Sequence, residues 1–346
     1  MDSLSQVVLG ASVAGVCAPS GHRGKAMLLG VGLGTLPDLD VFIDFGGAVE
    51  NFTYHRGFSH SLFVLAPLSV LLWILLRRWW APVRDEPLRW LAAISLALLT
   101  HPLLDAHTAY GTQLFWPLTM PPTSWATLFI IDPLYTLPLL AGVLVAVFRR
   151  QVGGTALRAG LIVSTLYVGW SWAAQTVVTR NAEDALASMQ LRDAKVFVTP
   201  TPLNTLLWRV VVMAGDHHLE GFDSLLIDEG PMRFTRYASG RNAMEEADGI
   251  WAVRRLRWFA RGFVQARTDH DRLIISDLRM GQEPFYVFSH VVAARGNPHW
   301  SEIPAERLSM PFGDRIAAET WKRIWRDDRL KPSRIDFPQG SFPVPG

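Results

Sequence analysis

A chain of 346 residues with 33 Lys/Arg against 31 Asp/Glu carries a formal charge of only +2 and no basic tract, which removes the electrostatic basis for nucleic-acid binding. Its single cysteine, Cys17, excludes an internal disulfide. The averages conceal two unlike halves, since residues 1–180 hold 11 Lys/Arg and 9 Asp/Glu while residues 181–346 hold 22 of each. Sparse charge broken into apolar runs marks membrane spans, and the second half has the charge density of a water-exposed domain.

Residues 1–6 carry Asp2 but no Lys or Arg, so the first apolar stretch reads as retained; a secretory signal needs a basic start. Two short Gly/Ala-rich segments, Leu4–Ala18 and Ala26–Leu36, suit a tight helical hairpin, because small residues let helices approach closely in lipid. Stronger spans are predicted over Ser61–Leu76, Leu88–Leu104, Trp125–Phe148 and Leu157–Thr179. The third has the ~20 residues that cross a ~30 Å hydrocarbon core, and the first two need tilt or flanking aromatics. Trp79, Trp80, Trp90, Trp116, Trp125, Trp170 and Trp172 read as interfacial anchors near span ends.

The alternation of spans gathers three basic loops on one side: Arg23 with Lys25, then Arg77, Arg78, Arg84 and Arg89, then Arg149, Arg150 and Arg158. Such loops stay cytoplasmic. Asp38, Asp40, His55, His60, His101, Asp105 and Asp132 then all fall at the outer side. After Thr179 short β-prone runs appear at Val196–Val198, Leu207–Met213, Ser224–Ile227, Arg254–Ala260, Leu273–Ser276 and Pro284–Val292, punctuated by Gly, Pro, Asp and Asn. A short helix over Pro311–Ile324 and a Pro/Gly-rich tail follow. The expected architecture is an α-helical polytopic membrane domain over residues 1–180, with about four to six membrane helices. A soluble mainly-β or α+β domain over residues 181–346 follows it on the extracytoplasmic side.

Three short strings carry the chemistry. His101 and Asp105 lie four apart on a predicted helix, so both project from one face and can grip one ion. An ionisable pair at the end of an apolar span calls for a function, although a helix-end His partnered by its own Asp would also satisfy it. Asp38 and Asp40 follow Pro37; in an extended segment both carboxylates point the same way, and in a turn they cap the next helix. His55 and His60 flank Arg-Gly-Phe-Ser at the start of a span, where Gly57 permits a bend and Ser59 suits an N-cap. Arg56 has the fork to clamp a phosphate or other oxyanion, or else snorkels to a headgroup. Imidazole and carboxylate together suit zinc, with manganese or iron as alternatives, and six such groups could hold one or two ions. His217-His218 beside Asp216 reads as an exposed turn.

These strings resemble the membrane-bound metal-dependent hydrolase family, the YdjM-like proteins of bacterial inner membranes (domain of unknown function 457). The likeness rests on Leu36-Pro37-Asp38-Leu39-Asp40, His55-Arg56-Gly57-Phe58-Ser59-His60-Ser61, Thr100-His101-Pro102-Leu103-Leu104-Asp105 and Tyr110-Gly111-Thr112-Gln113-Leu114-Phe115-Trp116-Pro117. It covers about residues 1–150. It implies metal ligation by Asp38, Asp40, His55, His60, His101 and Asp105. Relatives often carry an early His where this chain has Ser5-Gln6; Gln6 can still hydrogen-bond near the site. Ile130-Ile131-Asp132-Pro133 resembles a subset with a longer C-terminal extension, with Asp132 as either a partner of a ligating His or a helix-start carboxylate.

The leading expectation is a hydrolase of a lipid or lipid-linked ester or phosphoester at the outer membrane surface. In it Asp40 or Asp105 serves as general base and Arg56 neutralises the substrate oxyanion. The competing expectation is a non-catalytic membrane protein with a structural metal and a partner-binding C-terminal domain. Ligands confined to one face argue against a transporter, where ionisable groups recur at mid-depth.

Overall fold

The computed structural model describes residues 1–297, 299–308 and 314–326. Its N-terminal half is helical: α1 (Ser3–Cys17), α2 (Arg23–Thr35), a short α3 (Ala48–Tyr54), α4 (Leu62–Trp79), a single turn α5 (Ala81–Asp85), α6 (Pro87–Ala106), α7 (Pro133–Phe148) and α8 (Gly153–Ser188). Three of them, α4, α6 and α8, are long and apolar enough to cross a membrane, and α1 and α7 are shorter apolar helices. The span expected over Trp125–Phe148 is shorter than its apolar run. Residues before Pro133 are tied to the end of α6 by Trp125 N–H to Ala106 O (2.7 Å) and Leu128 N–H to His107 O (3.0 Å). Asp132 then caps α7 by accepting from Leu134 N–H at 3.1 Å, which is its helix-start role. Among the tryptophans read as anchors, Trp90 is instead fully buried against Trp80, while Trp79 is exposed.

The α1–α2 hairpin is as close as its small residues promise. A Cβ on Gly30 would sit 2.1 Å from the carbonyl oxygen of Gly10, so only glycine permits this crossing. At the far end of the hairpin Arg89 donates to the carbonyls of Cys17 and Ala18 (3.1 Å each), Lys25 lies over Trp80, and Arg23 packs beside Gly154. The three basic loops therefore share one end of the bundle.

The C-terminal half is sheet-rich. Strands β1 (Lys195–Pro200), β2 (Leu207–Ala214), β3 (His217–Ser224) and β4 (Phe234–Ala238) form an antiparallel meander. After α9 (Arg241–Glu246) and α10 (Trp251–Phe259) come β5 (Val264–Asp269), β6 (Arg272–Asp277), the small β7 (Gly281–Gln282) and β8 (Phe285–Tyr286) pair, β9 (Ser289–Arg295) and β10 (Trp300–Leu308). The second four-stranded sheet has the order β10-β9-β6-β5. The run Arg254–Ala260, expected as a strand, is helix α10: Val253, Leu256 and Phe259 are buried at helical spacing while Arg254 and Arg257 face out. Ser224–Ile227 is not a strand either, because β3 ends at Ser224 and a turn follows, and His217-His218 begins that strand. Helix α11 (Asp314–Arg323) lies within the expected Pro311–Ile324; Pro311–Gly313 and the Pro/Gly-rich tail from residue 327 lie outside the described residues.

Two helices, α8 and α3, reach from the helical half into the sheet-rich half. Helix α8, 36 residues and therefore ~54 Å long, runs through residue 180 without a break. Its Ala174, Val178, Ala182 and Leu186 pack on Val198, Trp208, Val210 and Val212 of the first sheet. Helix α3 works in the other direction, inserting Phe52 into the core of the second sheet against Phe259, Phe288 and His290 at ring separations of 4.8, 4.5 and 5.2 Å. Arg255 locks this docking by donating to Thr53 Oγ1 at 2.9 Å and stacking on Tyr54. The C-terminal half thus grips the segment that leads directly into His55.

Candidate metal centre

Asp38 and Asp40 occupy a 3-10 turn over Pro37–Phe42, started by Pro37 at its first position. That three-residue repeat sends the two carboxylates apart, whereas an extended segment would have aligned them. Asp38 Oδ1 lies 3.3 Å from His60 Nε2 and 3.4 Å from His101 Nε2. Asp40 turns into the next loop, where it accepts from His55 Nδ1 (2.8 Å), the Arg56 backbone N–H (3.0 Å) and Ser59 Oγ (2.6 Å). Burial pushes the Asp40 carboxyl pKa up, but the hydrogen bonds and charge of His55, with Ser59, more than reverse this and hold it below its usual value.

The bend between His55 and His60 centres on Arg56, whose φ of 58° is left-handed, and on Gly57, where a Cβ would come 2.7 Å from Tyr54 O. The helix cap expected of Ser59 belongs to Ser61, which accepts from Phe63 N–H at 3.2 Å. Ser59 instead links Asp40 to His60, its hydroxyl lying 2.9 Å from His60 Nδ1. On α6, His101 and Asp105 project from one face as their spacing requires. Asp105 Oδ2 lies 3.2 Å from His60 Nε2 and 3.5 Å from His101 Nε2, and the two Nε2 atoms are 3.1 Å apart.

Asp38, His60, His101 and Asp105 thus offer one atom each within 4.8 Å of one another. His101 Nδ1 faces the carbonyl of Gly34 at 2.7 Å, and a carbonyl can only accept, so its proton sits there and the Nε2 lone pair points inward. Ser59 gives its proton to Asp40 and accepts from His60 Nδ1, which leaves His60 Nε2 a lone pair as well. Two imidazole lone pairs and two carboxylate oxygens therefore face one point, and Asp105 Oδ2 is buried without a hydrogen bond among the described residues. Such a donor set suits a cation at its centre, in addition to the charge that Arg56 sets beside Asp105. Five of the separations among these atoms are 3.1–3.5 Å and all four lie within 4.8 Å of one another, compact enough for one ion to be shared among them. The cluster can hold a metal ion.

The remaining residues surround this set. His55 has Nδ1 committed to Asp40, its ring centroid 6.0 Å from that of His60. Arg56 is buried, with Nε 3.3 Å from Asp105 Oδ2, Nη1 on Thr108 Oγ1 at 3.2 Å and its guanidinium over Tyr110. Gln6 Nε2 donates to Asp105 Oδ1 at 3.0 Å, which the Met1 amino group also meets. The Tyr110 hydroxyl donates to the Phe52 carbonyl, and burial pushes its pKa up, keeping it a donor. The hydrogen bond that the Gly34 carbonyl accepts from His101 had no signature in the sequence, because a backbone carbonyl has no residue type. Asp132 lies elsewhere, held by Tyr167 at 3.0 Å.

Residues 1–178 match the YdjM inner membrane protein family. The chain belongs to that family. The inner membrane protein YbcI of Escherichia coli (strain K12) is 36% identical over 93 residues, which are 27% of this chain and 52% of YbcI, so the chain spans about half the length of that relative. YfhP of Bacillus subtilis (strain 168), an uncharacterized protein, is 24% identical over 311 residues, 84% of this chain and 91% of YfhP. No solved structure matches. The whole cluster lies inside the YdjM-family segment, and with the three long apolar helices this marks a membrane protein carrying a metal-competent site.

Proposed function

We propose that the protein is a metal-dependent hydrolase of the bacterial inner membrane, cleaving an ester or phosphoester bond of a lipid or lipid-linked envelope molecule at the outer surface. The observation that carries this reading is the convergence of Asp38, His60, His101 and Asp105, three of them buried and Asp38 28% exposed at the mouth. Zinc suits two imidazoles and two carboxylates, with manganese or iron as alternatives. When bound, such an ion supplies Lewis acidity and a water of pKa ~7.

The chain's own groups supply the rest. Asp105 is engaged by Gln6, Met1 and Arg56, so the general base is better placed at His55. Ionised Asp40 fixes its Nδ1–H, and its Nε2 is the proton-accepting atom on a ring 26% exposed. Arg56, beside Asp105 Oδ2, offsets negative charge at the centre. The basic loops at the opposite end of the bundle support an outward-facing site by the bias of Lys/Arg toward the cytoplasm, and the sheet-rich half shares the site's end.

One observation favours a structural metal instead: four protein side chains would hold the ion, and four protein ligands are the pattern of closed sites. Metal analysis of detergent-purified protein separates the readings in two steps. About one ion per chain is expected, lost in His60→Ala and in His101→Ala; metal retained by both variants sinks the centre itself. Turnover of an envelope lipid extract that disappears in His55→Ala supports the hydrolase. A metal-loaded protein with no turnover, which unfolds on chelation, supports the structural reading.

A further inference from the structure

A cavity of about 760 Å³ lies in the sheet-rich half, lined by Pro121, Lys195, Arg254, Arg257, Trp258 and Arg261 among others. Arg254, Arg257, Trp258 and Arg261 recur at spacings of three and four, so one face of α10 and the turn after it supplies most of this wall. The one carboxylate there, Asp248, is taken by Arg257 at 2.5 Å. Among the described residues, the Arg254 side chain donates only to the carbonyls of Asp248 and Gly249, at 3.0 Å each, and that of Arg261 only to the carbonyl of Ser124 at 3.4 Å. The Lys195 side chain has no hydrogen-bond or ion-pair partner among the described residues. Among the described residues, three cations therefore line one cavity without a counter-charge. A neighbouring cavity of about 620 Å³ shares Arg261 but adds Glu183 and Asp184, which makes it unsuited to an anion.

The surroundings indicate what the cations meet. Trp258 Nε1 donates to Thr119 O at 3.3 Å, inside a segment whose Trp116, Leu118 and Met120 are 40%, 54% and 54% exposed. That segment is fastened to the first turn of the candidate span α4, by Ser61 Oγ to Trp116 O (2.6 Å) and Leu62 N–H to Leu114 O (2.9 Å). Exposed apolar side chains at the end of a span belong at the membrane–water interface, and the cavity begins at Pro121, one residue beyond Met120.

We propose that this cavity binds the phosphoryl headgroup of an anionic phospholipid, through Lys195, Arg254 and Arg261 with Trp258 as the apolar wall. It is separate from the metal cluster and independent of the hydrolase reading. The full chain, purified in an uncharged detergent, is titrated with short-chain phosphatidylglycerol, short-chain phosphatidylcholine and inorganic phosphate, with binding read by calorimetry. Phosphatidylglycerol is expected to bind tightest. Lys195→Gln and Arg254→Gln should each weaken it about fivefold, from ~1 kcal/mol per basic residue near an anionic surface, and Arg150→Gln at the opposite end should not. Metal content is read in parallel and should stay at the wild-type level. Lys195 is an exposed strand residue whose side chain has no partner among the described residues, so its variant keeps the test open if Arg254→Gln misfolds. Equal binding by wild type and Lys195→Gln overturns the proposal. Inorganic phosphate bound as tightly as the lipid would assign the site to a free anion, and phosphatidylcholine bound as tightly would remove any reading of headgroup charge; either result overturns it as well.

Discussion

Phe52→Ala tests whether the sheet-rich half positions the metal centre. Phe52 is 6% exposed and touches Phe259, Phe288, His290 and Tyr110, with ring separations of 4.5–5.3 Å. Burial lost on a Phe→Ala truncation in a packed core costs about 3–5 kcal/mol. The hydrogen bond from the Tyr110 hydroxyl survives, because it ends on the backbone carbonyl of residue 52. The loss is therefore one of side-chain packing, and about 4 kcal/mol corresponds to a ~10³-fold rise in the opening of α3. Because α3 runs straight into His55 and Arg56, the opened segment includes the loop that holds His60. Hydrogen–deuterium exchange of the detergent-solubilised protein should show peptides over residues 48–60 exchanging far faster, while α1, α6 and α8 keep their protection. Metal affinity should fall with it. Unchanged exchange over residues 48–60, together with a stability loss under about 1 kcal/mol, would refute the coupling between the two halves.

Other consequences are as direct. Asp40→Ala leaves the Arg56 N–H, Ser59 and His55 without their acceptor, and loss of such an outer partner should lower metal affinity roughly 10–100-fold in a competition titration. Asp38→Ala, which removes a donor of the cluster, should reduce it further. Gly30→Ala forces its Cβ into the Gly10 carbonyl, so the α1–α2 crossing must widen and carry Gly34 O away from His101 Nδ1. Both thermal stability and metal retention should drop. The buried His290 has its pKa lowered to about 4 by burial, with repulsion from Arg307 adding to it, and among the described residues neither ring nitrogen has a hydrogen-bond partner. Its folded pKa lies below the unfolded value of ~6.5, so its stabilising contribution is complete above that value and is lost as pH falls toward 4. Between pH 7.5 and 5 the loss is about 2 kcal/mol. His290→Leu should remove that part of the acid sensitivity; an identical pH dependence in wild type and variant would count against it.

What the sequence determined on its own was what local chemistry enforces. Sparse charge and apolar runs specified the helical half, and the His101–Asp105 spacing specified a shared face. Small residues at Gly10 and Gly30 specified the close hairpin, and the four strings around Asp38, His55, His101 and Tyr110 carried the family. Helix α10 shows where local residue content misleads: Arg254–Ala260 carries the adjacent aromatics Trp258 and Phe259, which suit a strand, but packing on the second sheet decides which of its residues turn inward. The tertiary structure alone decided how six equivalent-looking donors divide. Asp38 and Asp40 are two residues apart and chemically identical, yet the 3-10 turn aims one at His60 and His101 and the other at His55 and Ser59. It also decided that a backbone carbonyl on Gly34 sets the proton of His101, and that a Phe from the helical half completes the core of the sheet-rich half. These outcomes depend on directions and distances between segments far apart in the chain, which residue types and spacings do not encode.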